Sequence, residues 1–334
     1  MNYKLLVIGN RRLQFHYPSI GRGSFSKVYY AVDLESGIKY AIKRIHLTRF
    51  DQKDREAIER EVEIIKSLNH PNIVKYYGVN IIEEYMYIFL EWCNKGTLEE
   101  QYKQSIVKSN IQFFFLKIRD AFQYLRTNNI MHRDIKLSNI LLHEENGKLD
   151  LKLSDFGFAK SYEQTDQSLE ATLCGTPYYM APEMLLGEKY NSKSDLWSVG
   201  IVLYLLIYQH MPFTPTNIIE LIRELEKGIK YDPTVDISPR CLSLLKGLLT
   251  NNPDERISWD EFFSHPCFIN HHELTPPQSD NNNNDDDDFE CIEHDPNIDI
   301  NQCENDGKSP SFTNRLISFL SSSYKLVLPW TNQS

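Results

Sequence analysis

Apolar residues up to about Cys93 fall in short runs of strand length, interrupted by one helical repeat; from there to about Ile269 they recur mainly at helical spacing. Two unequal lobes follow from that change. Turn-forming Asn94-Lys95-Gly96, just after the strand-like Tyr85–Glu91, is the expected hinge and a place for a ligand. In the N-terminal part Ile58, Glu61, Ile65 and Leu68 stand at helical spacing, which puts a carboxylate inside an apolar stripe. Farther along, Ile111, Phe114, Phe115, Ile118, Phe122 and Leu125 give a buried face to a helix between Lys108 and Asn128. Ser109 and Gln112 make a capping-box pattern at its start. The run from Asp195 to Tyr208 is apolar nearly all round and predicts a helix at the centre of the larger lobe.

Charge alters this picture only near the end of the chain. The 334 residues carry a formal net charge of -10, yet from Asn270 onward 12 Asp and Glu stand against 3 Lys and Arg. The remainder is close to neutral, and with no basic stripe, nucleic-acid binding is not expected. Residues 270–311, with Pro276-Pro277 and the run NNNNDDDD, cannot bury enough apolar surface to offset chain entropy and read as an acidic, disordered linker. Residues 312–334 turn apolar again at Phe312, Leu316, Phe319, Leu320, Val327, Leu328 and Trp330. They could form a short amphipathic segment, either a merely sticky patch or a peripheral contact with a membrane or a partner. The six cysteines form no C-x-x-C pair, no secretory signal is evident, and no apolar run is long enough to span a bilayer. A soluble, cytoplasmic protein with free thiols is expected.

Several residue groups carry chemistry. Gly21-x-Gly23-x-x-Ser26-x-Val28 between strand-like runs could fold over nucleotide phosphates, where glycine backbones approach without a Cβ; alone it is also the pattern of an ordinary turn. Lys43 lies in a strand-like run with Ile42 and Arg44 on the opposite face, and it is the natural cation for Glu61, which is costly to bury unpaired. Glu56, Glu59 and Glu63 lie off the stripe and read as solvated. Ile140 to His143 and Leu149 to Leu153 flank Asn146-Gly147, a hairpin signal. Counting back from that turn pairs Asn139 with Ser154 and brings Asp155 to the same end. A carboxylate and an amide so placed suit Mg²⁺, with Asp134 nearby to accept a hydroxyl proton.

These residues resemble the protein-kinase family. HRDIKLSN (His132 to Asn139), DFG (Asp155 to Gly157), APE (Ala181 to Glu183) and AIK ending at Lys43 follow one another in the family's order, over roughly Phe15 to Phe268. The resemblance implies an α+β, bilobal protein-kinase fold, with a small β-rich N-lobe holding one regulatory helix over 1–93 and a larger α-helical C-lobe over 94–269. It also implies ATP as co-substrate, Mg²⁺ as cofactor and protein substrates. Lys43 and Glu61 would form the active-state ion pair, Asp134 would be the catalytic base, Lys136 would contact the γ-phosphate, and Asn139 and Asp155 would hold the metal. Ile20, Gly21, Gly23, Ser26, Val28 and Ala41 would line the ATP site, with Leu90 as gatekeeper and Glu91 to Cys93 as the segment that bonds adenine. Asp195 would anchor the central helix and Arg256 would pair with Glu183. Thr172 matches the activation-loop phosphosite, with Arg133 and Lys160 as phosphate partners. Phe158, after the DFG glycine, favours serine as acceptor, and Thr97 stands where a carboxylate would select a substrate arginine. DFGFAK, ATLCGTPYYMAPEML and YNSKSDLWSVG look nearest to the autophagy-initiating kinases. The expected function is a serine/threonine protein kinase, with a pseudokinase scaffold or partner-recruiting protein as the alternative.

Overall fold

Seven short apolar runs of the N-terminal part assemble into one antiparallel sheet in the computed structural model, which describes residues 2–22, 26–157, 159–161 and 177–268. The strands are β1 (Asn2–Ile8), β2 (Arg11–Tyr17), β3 (Gly21–Arg22), β4 (Ser26–Asp33), β5 (Lys39–His46), β6 (Tyr76–Ile82) and β7 (Tyr85–Glu91). Their order is β1-β2-β4-β5-β7-β6, with β3 paired to β4. The described residues fall into two compact units, 2–161 with 263–268, and 177–262. The expected linker 270–311 and terminal segment 312–334 lie outside the described residues.

Strand alternation gives the sheet two distinct faces. Ile8, Leu13, Phe15, Tyr29, Ala31, Tyr40, Ile42 and Phe89 form a buried cluster on one. On the other, Ile45, Met86 and Ile88 pack against Val62 of helix α1 (Gln52–Ser67). Asp51 caps that helix by accepting a bond from the Asp54 N–H at 2.8 Å, which satisfies one of its orphan donors. Ile65 and Leu68 are buried as the stripe requires, Val62 joins them, and Glu56, Glu59 and Glu63 are exposed.

The Asn94–Gly96 turn lies inside the first unit, where it is stitched to the hairpin of β9 (Ile140–Glu145) and β10 (Lys148–Leu153) that follows β8 (Ile130–Met131). Lys95 N–H donates to the Leu142 carbonyl at 3.1 Å, Leu142 N–H to that of Gly96 at 2.9 Å, and the Asn94 side chain exchanges two bonds with the Glu144 backbone. Gly96 adopts φ +71°, and a Cβ there would collide with the Glu100 carboxylate, so glycine is required at this turn. Two short helices, α2 (Leu98–Gln101) and α3 (Ser105–Ser109), lead into α4 (Ile111–Thr127), whose buried face includes Phe114, Phe115, Ile118, Phe122 and Leu125. Asn110 stands just before the first residue of α4, and Gln112 Nε2 donates to the Cys267 carbonyl at 3.2 Å; the Ser109 side chain of the expected capping box lies outside the described residues. Strand β11 (Lys160–Ser161) pairs with β8.

In the second unit, α5 (Pro182–Leu185) and α7 (Ile218–Glu226) flank α6 (Lys193–Tyr208), which is buried on almost every side, as its sequence requires. Asp195 sits in its first turn and is 2% exposed. Arg256 and Glu183 form a fully buried fork, Nη1 to Oε1 at 2.7 Å and Nη2 to Oε2 at 2.8 Å. The other guanidinium donors reach the carbonyls of Thr250, Lys193 and Asn251, and its plane lies 5.3 Å from the Trp197 ring. Removing either partner strands a buried charge. Glu183→Ala and Arg256→Ala are each expected to cost about 3–5 kcal/mol of stability, read from urea unfolding midpoints; a loss well below that range would contradict this role.

Candidate active site

Three pieces of chain converge on Lys43. Strand β5 directs its side chain to the face that carries α1, and its ammonium donates to Glu61 Oε1 at 2.8 Å and to Asp155 Oδ1 at 3.1 Å. A Cβ on Gly157 would stand 3.4 Å from Glu61 Oε2, so the helix carboxylate also packs on the chain just after Asp155. Burial by itself would lower the Lys43 pKa, but the charges of Glu61 and Asp155, with hydrogen bonds to both, outweigh it and hold the ammonium above the ordinary lysine range. For Asp155, burial pushes upward. Its bond and charge interaction with Lys43, aided by His132 and Lys136, prevail and leave the carboxyl below its usual value.

The loop between β8 and β9 is built around Asp134, which is 6% exposed. Asn139 Nδ2 donates to the Asp134 carbonyl and to Asp134 Oδ2, both at 2.8 Å, and Lys136 Nζ lies 3.0 Å from the same Oδ2. Asn139 thereby spends its donor end on Asp134 and turns its carbonyl oxygen elsewhere. Ser154 N–H and Oγ both donate to the backbone carbonyl of Asn139 at 2.9 Å, the pairing counted from the hairpin turn. His132 is fully buried. Its Nδ1 accepts from the Asp134 N–H at 3.4 Å, which leaves the proton on Nε2 to donate to the Ser154 carbonyl at 3.0 Å. Arg133 and Asp155 adopt left-handed backbone, φ +63° and +57°. Such conformations cost on the order of 1–3 kcal/mol each and persist where surrounding bonds over-determine them.

The nucleotide-side candidates share the Lys43 face. Val28 is in register with Lys43 and Gly21 with Val28, Ala41 is in register with Leu90, and Ile20 N–H donates to the Val28 carbonyl at 2.8 Å. Ser26 pairs with Ile45, while Gly23 lies outside the described residues. Glu91 is held by Lys152 Nζ at 2.8 Å and by the Lys75 N–H at 3.1 Å. Among the described residues the Cys93 N–H meets no acceptor. Its thiol is buried, which pushes its pKa up to about 12. Thr172, Phe158 and the Lys160 side chain lie outside the described residues; the Lys160 backbone pairs with Met131, two residues before Arg133.

Sequence reasoning missed Asn72 and Lys152. Asn72, 2% exposed, donates to Asp150 Oδ1 at 3.1 Å and to the Leu151 carbonyl at 2.9 Å, which ties the chain after α1 to β10 and so helps to set Asp155. Nothing local marks either residue, because their partners are about 60 to 80 positions away.

The shifts set a sign for pH dependence. The Lys43 contribution to stability is complete below the unfolded lysine value of about 10.4 and is lost as pH climbs through the raised folded value. That of Asp155 is complete above about 3.9 and is lost as pH falls through its depressed value. Glu61→Gln removes the largest raising influence, so Lys43 is expected to become reactive toward an amine acylating reagent at lower pH, followed by mass spectrometry. An unchanged reactivity profile would show that Glu61 does not govern the ammonium.

A model of the protein kinase domain matches residues 16–268. Among similar proteins, the serine/threonine-protein kinase ATG1b of Arabidopsis thaliana is 34% identical over 298 residues, covering 88% of this chain and 42% of its own. ATG1c of the same plant is 37% identical over 252 residues, covering 74% of this chain and 34% of its own. The serine/threonine-protein kinase atg1 of Penicillium rubens is 34% identical over 299 residues, covering 74% of this chain and 31% of its own. The chain spans less than half the length of these relatives, and they agree with the motif resemblance to autophagy-initiating kinases. With the AIK, HRD and DFG motifs assembled in one unit and the domain matched over most of its length, the chain belongs to the protein kinase family.

Proposed function

We propose that the chain is a serine/threonine protein kinase that transfers the γ-phosphoryl group of ATP to hydroxyl groups of proteins. The observation that carries this reading is that Lys43, Glu61, Asp155, Asp134, Lys136 and Asn139 are tied into two bonded clusters within one compact unit. In phosphoryl transfer the protein acts mainly by positioning and by stabilising charge, and each cluster has a share of that work. Lys43, held by Glu61, presents its ammonium to the α- and β-phosphates. Asp134 accepts the proton of the acceptor hydroxyl at Oδ1, since Asn139 and Lys136 both engage Oδ2. Lys136 is within reach to shift from Asp134 toward the γ-phosphate.

The donor set fits Mg²⁺. The Asn139 side-chain oxygen Oδ1 and the second oxygen of Asp155, a side chain 45% exposed, are two hard ligands of the kind that ion takes from protein while keeping water and phosphate oxygens in its other positions. Among the described residues no group of three or more His, Cys, Asp or Glu forms a dedicated metal cage. Bound there, the ion would neutralise phosphate charge.

The same reading includes protein substrates, a serine preference from Phe158, little demand for arginine three residues before the acceptor because Thr97 caps α2 in place of a carboxylate, and activation by a phosphate on Thr172 received by Arg133 and Lys160. It places the enzyme in the cytoplasm, in keeping with the free thiol of Cys93. Among the described residues no helix is long and apolar enough to cross a membrane. No observation favours the scaffold alternative.

With purified protein, labelled ATP and Mg²⁺, transfer to a peptide library is expected to fall by orders of magnitude in Lys43→Met, Asp134→Asn and Asp155→Ala, while Asp134→Asn keeps nucleotide affinity. Wild-type protein that binds ATP but labels neither itself nor any peptide would favour a scaffold.

A further inference from the structure

The second unit holds a pocket of about 290 Å³ that no step of the phosphoryl-transfer reading uses. It lies between the end of α5 with the turn after it, α7, and residues 251–253. Leu186, Ile222 and Leu225 give it apolar walls, and Pro182 and Pro253 add to them. Bonds among these pieces fix the walls. Asn251 Nδ2 donates to the Leu225 carbonyl at 2.7 Å, Arg256 Nη2 donates to the Asn251 carbonyl at 3.1 Å as well as to Glu183, and Lys193 Nζ donates to the Pro253 carbonyl at 2.8 Å. The pocket is therefore preformed, the usual condition of a binding site.

Charge decides what fits. Every ionisable side chain that lines the pocket is a carboxylate: Glu183, Glu188 and Glu226. Glu183 is neutralised by its buried fork with Arg256. Glu188 and Glu226 are exposed, and among the described residues neither forms an ion pair. The cations next to them in sequence, Lys189, Arg223 and Lys227, are exposed and do not line the pocket. The Lys193 ammonium is spent on the Pro253 and Arg256 carbonyls. Two unneutralised carboxylates repel phosphate groups, which excludes a nucleotide, a phosphopeptide or an acidic membrane surface as occupant. A volume near the lower limit of ligand pockets, ~300 Å³, suits one or two side chains and not a cofactor.

We propose that this pocket docks a protein partner through a short segment in which an aliphatic side chain adjoins an arginine or lysine. The aliphatic group enters between Leu186, Ile222 and Leu225, and the cation stays at the mouth beside Glu188 or Glu226. The stem of an arginine or lysine can lie along an apolar wall while its charged head remains in water. One anchored side chain with a flanking charge contact makes a weak, reversible association. The pocket shares no side chain with the Lys43 and Asp134 clusters, so docking leaves their chemistry free.

Fluorescence anisotropy of a labelled peptide, Gly-Ala-Arg-Leu-Arg-Leu-Ala-Gly, titrated with the full-length chain tests this; the peptide has no hydroxyl to phosphorylate. It is expected to bind wild type about ten-fold more tightly than the double variant Glu188→Lys with Glu226→Lys, because two attractive contacts become repulsive. Leu186→Ser is expected to weaken binding as well, and so is replacing both peptide leucines by glycine or both arginines by glutamate. Both glutamates are exposed, so an unchanged melting temperature shows that the double variant is folded. Equal affinity for wild type and the double variant would overturn the proposal, since a peptide drawn only to the acidic run after Asn270 binds both alike. Undiminished binding of the glycine-substituted peptide would reduce the site to charge attraction and would also overturn it. Competition by arginine amide at the peptide's own concentration would make a small cation the occupant, against the proposal. Absence of binding up to roughly 1 mM peptide is the remaining contrary result. None of these readings depends on phosphoryl transfer, so this docking site and the kinase reading fail separately.

Discussion

The Lys43 ammonium, 2.8 Å from Glu61 and 3.1 Å from Asp155, fixes three separate pieces of chain at once: β5, α1 and the segment after β10. Taking a cation out of water is unfavourable unless partners replace the solvent, and here two carboxylates do so. The cluster therefore carries one more negative charge than positive. That surplus would suit the proposed binding of a divalent cation together with a nucleotide, for which the second oxygen of Asp155 would be a ligand. It also makes the position of α1 a condition for the position of Lys43, because Glu61 reaches the ammonium only when the apolar stripe of Val62, Ile65 and Leu68 is seated.

Around Asp134 the logic is different, since hydrogen bonds hold that group in place where charge pairing with Glu61 and Asp155 holds Lys43. Asn139, Lys136 and His132 each contact Asp134, and Ser154 binds Asn139 through two donors. These bonds explain how Arg133 and Asp155 persist in left-handed backbone. The hairpin of β9 and β10 links the two clusters through Asn139 at its start and Asp155 two residues past its end. The turn at Asn94–Gly96 and the chain at Asn72 are fastened to that same hairpin, so that turn shares one support with Asn139 and Asp155.

Much of this arrangement was legible in the sequence, for identifiable reasons. Asn146-Gly147 fixed the hairpin register, so counting residues sufficed to pair Asn139 with Ser154. Glu61 stood out because a carboxylate in an apolar stripe demands a cation, and the all-apolar run of α6 admitted few alternatives to burial. What escaped was non-local. No spacing rule links Asn72 to Asp150 or Lys152 to Glu91, because those contacts exist only once distant strands are neighbours.

The central claim is that Lys43 and Glu61 act as one unit in phosphoryl transfer, and a double-mutant cycle on kcat/KM for transfer from labelled ATP tests it most directly. Groups that act as a unit give strongly non-additive losses. The account requires that Lys43→Met combined with Glu61→Gln lose no more activity than Lys43→Met alone. If the two single losses multiply in the double variant, the carboxylate and the ammonium work independently and the account is wrong.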